Sequence, residues 1–224
     1  MKRVIFIVAV VMAGKAAFAQ LSFGAKAGLN IASVWGVIET RPHVFSIPGP
    51  VSPVAGAALG GFVRYDFKEI YWLGVQLDLL FSMQGGRDVS YWQMGEQYTI
   101  RTLRQNYINM PVVLDFKFFR KIPLSFLIGY QSGECVFRYA DGERIKRTEG
   151  SIFNNWDNSY VLGFRYVFSE RLTAELRIIN SSTPSIVIDE TWVLRGNTPV
   201  SEDYVYKSIG AQNLTGQLTV GWTF

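Results

Sequence analysis

The chain has 224 residues, of which 49% are hydrophobic and 15% aromatic, and its formal net charge is +4. Loss of Lys2, Arg3 and Lys15 with the leader described below lowers that charge to about +1, so no basic stripe indicates a nucleic-acid partner. The single cysteine, Cys135, excludes an internal disulfide.

Residues 1–19 have the pattern of a secretory signal peptide. Lys2 and Arg3 precede an apolar run that is too short to cross a bilayer as a helix, and Ala17-Phe18-Ala19 forms a small-x-small cleavage motif before Gln20. We expect cleavage after Ala19 and one domain over residues 20–224. An exported, aromatic-rich chain whose sequence has no spanning helix is either a secreted β protein or a transmembrane barrel.

Eight segments alternate apolar and polar residues with a period of two, which predicts β-strands. They cover about 21–31, 57–67, 71–84, 107–118, 124–131, 160–168, 172–178 and 214–224. Long connections are predicted at 35–55, 85–103, 139–158 and 181–213, the last with a short hairpin at 186–194, and tight turns join the other strands. Pro111 lies within a strand, and because proline has no amide hydrogen we expect a bulge or an unpaired position there. Beyond Gly133 the alternation is ambiguous.

The last predicted strand keeps its alternation to the final residue. Its apolar face carries Leu214, Leu218, Val220, Trp222 and Phe224. A membrane barrel requires such a face because the strand closes the sheet against lipid, and we expect the barrel-assembly machinery to bind this strand. The pattern predicts an all-β fold: an eight-stranded antiparallel up-and-down transmembrane β-barrel with short periplasmic turns and long extracellular loops, located in the outer membrane.

Side-chain volume decides which face points inward. An eight-stranded barrel is only just wide enough inside for side chains, so the many large apolar residues must face lipid and the polar faces must line the interior. Charges of both signs then share a narrow lumen and must pair, because unpaired buried charge is costly. We expect a structural salt-bridge plug, with a conduction or proton path as the alternative. The predicted lumen charge network consists of Lys26, Arg64, Asp66, Asp78, Asp115, Lys117, Arg165, Glu175 and Arg177.

Two short motifs carry a family resemblance. Gly24-Ala25-Lys26-Ala27-Gly28-Leu29-Asn30 near the mature start and Tyr107-Ile108-Asn109-Met110-Pro111, together with the barrel ending in Phe224, resemble the PorT-like outer-membrane β-barrels of Bacteroidetes. The resemblance covers nearly the whole mature chain and implies the fold and the membrane. Because the family's namesake is implicated in the type IX secretion system, it also implies secretion-system proteins as possible partners.

Candidate chemistry is sparse, and we predict no catalytic, cofactor or metal site. The only histidine, His43, stands near Ser46 in a proline-rich loop, so an outer-leaflet lipid-modifying enzyme and a small pore are the alternatives to a non-enzymatic barrel. Aromatic residues on loops are enriched at protein contacts, although they can also pack on each other or enter the membrane interface. The candidate loop binding residues are Tyr91, Trp92, Tyr98, Trp192, Tyr204 and Tyr206.

Overall fold

The structure, a computed structural model, describes residues 21–35, 52–67, 70–93, 96–118, 122–145, 155–183, 186–188 and 209–224. These residues form ten strands: β1 (Leu21–Trp35), β2 (Val54–Asp66), β3 (Leu73–Gln93), β4 (Glu96–Phe116), β5 (Leu124–Ala140), β6 (Glu143–Arg144), β7 (Trp156–Val167), β8 (Leu172–Ser181), β9 (Ile186–Ile188) and β10 (Ile209–Thr223). Within these ranges, no helix is long and apolar enough to cross a membrane.

Eight of these strands form a closed antiparallel ring. Neighbours follow chain order as β1, β2, β3, β4, β5, β7, β8 and β10, and β10 pairs back onto β1 from Gly24↔Thr223 to Trp35↔Gln212. The two-residue β6 pairs with the end of β5, and β9 pairs with the start of β10. The predicted eight-stranded up-and-down barrel is therefore confirmed. Of the short hairpin expected at 186–194, the structure describes only β9, which pairs with β10, and residues 189–194 lie outside the described residues.

The apolar face of each long strand points away from the interior. Leu29, Leu59, Leu79, Ile178 and Leu218 are all more than half exposed, although they are large and apolar. Polar side chains on the alternate positions are buried inside the ring. This inverted arrangement is stable in a lipid bilayer. The apolar outer band contacts the lipid, and the closed ring leaves no sheet edge unpaired in the membrane.

Pro111 interrupts one ladder, as its missing amide hydrogen predicts. The register of β3 with β4 passes from Leu77↔Val112 to Leu80↔Asn109, so the intervening residues, including Pro111, form no ladder pair with β3. On its other side Pro111 remains in register with Gln131 of β5. The expected unpaired position is confirmed, and the strand tolerates proline because only one of its two neighbours loses a partner.

The predicted long loop at 85–103 is wrong. β3 and β4 continue through this segment as a hairpin whose register runs to Gln93↔Glu96. The sequence of this segment lacks the regular apolar alternation of the other strands. A hairpin that projects beyond the bilayer has no face in contact with lipid, so lipid does not require that alternation. The predicted strand ends at Gln84 and Tyr107 therefore mark the end of the apolar pattern and not the end of the pairing.

A bulge explains the ambiguous alternation beyond Gly133. Tyr107 pairs with Cys135 and Asn106 pairs with Phe137, so Val136 is an extra residue on β5. One extra residue moves every later side chain to the opposite face. Inward positions are odd-numbered up to Cys135, and the next buried residue is Arg138.

Candidate functional site

Most of the buried charged side chains of the described strands lie in the interior of the barrel. Three short connections, at 67–72, 117–123 and 168–171, define what we call the turn end, and the opposite end is the loop end. Six buried residues meet inside the lumen; we call them the central cluster. They are Lys26 on β1, Asp78 on β3, Asp115 on β4, Arg165 on β7, and Glu175 and Arg177 on β8.

Glu175 is the centre of this cluster. Its carboxylate lies 2.7 Å from Nζ of Lys26, 2.9 Å from the guanidinium of Arg165 and 2.6 Å from Nη2 of Arg177. Asp78 accepts from the same lysine at 3.2 Å and lies 2.7 Å from Nη2 of Arg177. These side chains are almost fully buried, so the attraction between opposite charges must compensate for their loss of water.

The cluster is electrically balanced. Arg165 also pairs with Asp115, so three cations face three carboxylates in the central cluster. The neutral side chain of Gln76 completes the network, because it donates to Asp78 at 2.6 Å and accepts from Arg165. Such a neutral, cross-linked arrangement fills space and holds strands together, and it provides no unpaired charge to attract a permeating ion.

A smaller group lies at the turn end, where Lys117 follows β4. Arg64 contacts Asp66 at 2.9 Å, and Lys117 contacts the same carboxylate at 2.7 Å. Arg64 also lies 3.6 Å from Asp115, which joins this group to the central cluster. All nine residues of the predicted lumen charge network therefore lie in one connected set of ion pairs.

An apolar layer lies next to the central cluster on the side of β4, β5, β7 and β8. Val113, Leu127, Val161 and Ile179 form a buried hydrophobic cluster inside the ring. The alternation along each strand did not predict this layer, because it assigns the inward positions to polar residues. This apolar layer and the paired charges are the side chains that line the interior, as expected for a barrel of eight strands.

A second polar group occurs at the loop end, and sequence reasoning did not find it. The buried carboxylate of Asp157 accepts from Ser159 at 2.8 Å, from Ser181 at 2.6 Å and from Asn213 at 3.3 Å. Asn213 also donates to the hydroxyl of Tyr107 at 3.2 Å. The one signal of this group in the sequence is the spacing Asp157-x-Ser159, which places both residues on one face of a strand. The third residue, Ser181, comes from the neighbouring strand and could not be assigned to the group from sequence.

The candidate loop residues are only partly within the described chain. Tyr91 and Tyr98 are register partners and Trp92 pairs with Gln97, so these positions belong to the β3–β4 hairpin and not to a loop. Trp192, Tyr204, Tyr206 and His43 lie outside the described residues, as does the predicted signal peptide. Within the described ranges, no group of three His, Cys, Asp or Glu side chains could hold a metal ion.

The closing strand β10 is paired along both sides. Phe224 donates its amide to Phe23 at 3.0 Å, and Thr223 donates to Arg171 at 2.8 Å. Of the predicted apolar face, Leu214, Leu218, Val220, Trp222 and Phe224 are all exposed on the outside of the ring. The strand thus contributes to the lipid-facing band to its last residue.

A closed antiparallel ring with an apolar exterior and an ion-paired interior defines an outer-membrane β-barrel. The chain belongs to the outer membrane protein beta-barrel domain family, whose model matches residues 5–224. The protein is therefore located in the outer membrane.

The chain is similar to several solved structures. The chain is similar to Neisserial surface protein A, with 8% identity, a TM-score of 0.53, and coverage of 90% of this chain and 97% of that one. The attachment invasion locus protein Ail of Yersinia pestis, crystallised with the heparin analogue sucrose octasulfate, has 12% identity, a TM-score of 0.43, and coverage of 92% and 99%. OprG from Pseudomonas aeruginosa has 10% identity, a TM-score of 0.40, and coverage of 92% and 96%. No curated protein matches the sequence significantly.

Proposed function

We propose that the protein is a non-enzymatic, non-conducting outer-membrane barrel that presents its β3–β4 hairpin to a partner outside the membrane. The observation that carries this proposal is the length of that hairpin. Beyond Gly86↔Leu103 the register continues from Arg87↔Thr102 to Gln93↔Glu96, seven residues on each strand. At about 3.4 Å per residue this ribbon extends roughly 20 Å past the ring.

Contacts at the base of the hairpin support its role as a projecting element. Arg87 donates its amide to Ser52 at 2.8 Å, and Asp141 donates to Thr102 at 2.9 Å. Asp141 also accepts from the amide of Thr102 at 2.8 Å through its side chain. These contacts fix the direction in which the ribbon leaves the barrel, which reduces the entropy lost when a partner binds.

The central cluster supports the non-conducting part of the proposal. In the central cluster, cations and carboxylates are equal in number and are joined by contacts such as those of 2.7 Å, inside a ring of eight strands that is only just wide enough for side chains. A small pore would need a continuous aqueous path and weakly held charges. The enzymatic alternative is centred on His43, which lies outside the described residues.

A role in type IX secretion rests only on the PorT-like motifs, and their positions favour a structural reading. Gly28 lies so close to β10 that a Cβ atom would be 2.0 Å from the carbonyl oxygen of Leu218. Lys26 belongs to the central cluster, and Pro111 lies at the interrupted ladder. These residues are explained by barrel construction, so a secretion role needs independent biochemical support.

Assembly would involve β10 before the ring closes. In the folded barrel this strand pairs with β1 and β8 along its length. We therefore propose that the barrel-assembly machinery binds β10 while one of its edges is unpaired, and that outer-membrane lipid covers its apolar face afterwards.

Excision of the hairpin tests the proposed function. Residues 88–101 would be replaced by Asn-Gly, because Arg87 and Thr102 are register partners and a two-residue type I′ turn can join them. A tag in the segment around Gly150 would allow purification of both proteins from native outer membranes in mild detergent. We expect a set of co-purifying proteins or glycans that the shortened barrel loses, while its heat-modifiable gel migration shows that it still folds.

The control for this experiment is Glu170→Gln, an exposed change at the turn end. It should retain the full set of co-purifying molecules. Secretion-system subunits in the hairpin-dependent set would support a role in export. An identical set from the full-length and shortened barrels would contradict the proposal.

A further inference from the structure

A cavity of about 730 Å³ lies at the turn end of the lumen. Its lining is mostly apolar and includes Ile122, Leu124 and Val167. Two further lining residues are polar: Lys117 brings an ammonium group to the cavity, and Ser125 brings a hydroxyl group. Cavities of this size, with apolar walls and a few polar groups, are typical of sites that bind small molecules.

The cavity is open at the turn end and leads inward to the central cluster. Tyr71 and Ile122 in its lining are 56% and 49% exposed, whereas Ser125 is only 4% exposed. Ser125 is the register partner of Arg165, which belongs to the central cluster. A molecule that enters from the turn end therefore meets the paired charges, which is the arrangement of a binding site and not of a passage.

The charged residues next to the cavity include one cation in excess. The predicted lumen charge network has five cations and four carboxylates, although the central cluster within it is balanced. The excess lies at the turn end, where Arg64 and Lys117 share the carboxylate of Asp66. An ammonium group has three hydrogens, and the contact of Lys117 with Asp66 at 2.7 Å uses one of them. Lys117 can therefore donate to an anion in the cavity as well.

Ser125 is a second polar group that faces this space. Its side chain lies in a residue that is only 4% exposed, and its hydroxyl has no hydrogen-bond partner among the described residues. Buried polar groups in native proteins are almost always hydrogen-bonded, because a lost partner costs free energy. A hydroxyl can donate to a carboxylate oxygen, so an anionic ligand would supply the partner.

The connections at this end add positive charge around the opening. The sequences of 67–72, 117–123 and 168–171 together contain five basic residues and two acidic ones. A surface with an excess of one sign of charge raises the local concentration of ligands of the opposite sign. The turn end therefore favours the entry of anions over that of cations.

We propose that this cavity binds a single-chain lipid with a carboxylate head group, of the fatty-acid class. The carboxylate accepts from Lys117 and Ser125, and its one negative charge balances the excess cation. The acyl chain packs on the apolar walls formed by Ile122, Leu124 and Val167. Removal of the chain from water supplies the favourable free energy of this contact, and the ion pair fixes which end of the ligand lies deepest.

Photoaffinity labelling tests the proposal with the full chain refolded in nanodiscs of a zwitterionic phospholipid. The probe is a palmitate analogue with a diazirine in its acyl chain, and mass spectrometry locates the labelled residues. We expect saturable labelling of Val167 and of segment 122–125, which unlabelled palmitate suppresses. The adjacent Tyr166 is exposed on the outside of the ring, so label there measures the probe that is dissolved in the bilayer.

Two variants separate the roles of the head group and the chain. Lys117→Met leaves four cations with four carboxylates, so we expect the barrel to fold. The probe concentration for half-maximal labelling of the cavity should rise at least about tenfold, because a hydrogen bond between charged groups is lost. Val167→Phe keeps every charge and fills part of the cavity, so it should also weaken the labelling, and it serves if the first variant does not fold.

Arg171→Met is the matched control, since it removes an exposed cation from the same end of the barrel without changing the cavity lining. Its half-maximal concentration should equal that of the unmodified protein. Acetate, which has the head group without the chain, should not suppress the labelling. The proposal is overturned if the label is confined to lipid-facing residues such as Tyr166, if acetate competes as palmitate does, or if either folded variant is labelled as the unmodified protein is.

Discussion

Nζ of Lys26 on β1 lies 2.7 Å from Oε2 of Glu175 on β8, although 149 residues separate them in sequence. The two strands are not neighbours, because β10 lies between them in the ring. The pair therefore reaches past β10 on the inner side of the ring and forms only when β10 has closed onto β1. Closure of the ring is thus required for the buried charges of Lys26 and Glu175 to neutralise each other.

Glu175→Gln should destabilise the barrel strongly. The substitution removes the carboxylate shared by Lys26, Arg165 and Arg177 and leaves three buried cations with two anions. Breaking a buried pair from one side costs about 3–5 kcal/mol, so we expect a loss of that order in the free energy of unfolding. Urea titration in lipid vesicles, followed by tryptophan fluorescence, measures it.

The comparison for Glu175→Gln is Glu170→Gln, since Glu170 is exposed in the turn between β7 and β8. Its free energy of unfolding should change by less than about 0.5 kcal/mol. Equal stability of the two variants would mean that the central cluster does not hold the barrel together.

Gly28→Ala should impair closure of the ring. A Cβ atom at this position would lie 2.0 Å from the carbonyl oxygen of Leu218, which is a backbone atom and cannot move without separating β1 from β10. Gly216 lies on the same seam, and the nearest atom to its Cβ position is 3.8 Å away. We expect Gly28→Ala to lower the folded fraction on a heat-modifiability gel, whereas Gly216→Ala migrates as the unmodified protein does. Normal folding of Gly28→Ala would refute the close approach.

Leu77→Arg should be costly because Leu77 faces lipid in the part of β3 that lies within the ring, four residues after the strand begins at Leu73. The side chain is 50% exposed on the outer face of the ring, and arginine at the bilayer midplane costs about 2–4 kcal/mol. Ile122→Arg, in the turn before β5, should cost only about 0–1 kcal/mol because it lies near the interface. The free energies of unfolding of the two variants are compared in lipid vesicles. Equal losses at Leu77 and Ile122 would contradict the assignment of Leu77 to the lipid-facing surface.

Alternation predicted the ring well because lipid imposes it on each strand separately. Leu77, Leu79 and Phe81 could be assigned to the outer face from sequence alone, and Lys26 and Glu175 to the lumen. The partners of those charges could not be assigned, since contacts between distant strands depend on the shear of the ring. The projecting part of the β3–β4 hairpin was missed because lipid imposes no alternation of apolar and polar residues beyond the bilayer.

The Asp157 group shows a further limit of period-two reasoning. Asp157 and Ser181 are 24 residues apart and meet because β7 and β8 pair as Ser159↔Ser181. Alternation predicts that each side chain points inward, but register decides which of them touch. The apolar layer around Val113 and Ile179 escaped detection for a related reason, because an apolar residue on the polar face carries no signal in one strand.

The most direct test of the central claim, that paired charges fill the lumen, is the conductance of the refolded barrel in planar lipid bilayers. A porin serves as the positive control for insertion and recording. The balanced contacts around Glu175 predict that the inserted barrel gives no unitary current steps across the usual range of voltage. Reproducible steps from correctly folded protein would show a continuous aqueous path and would contradict the account.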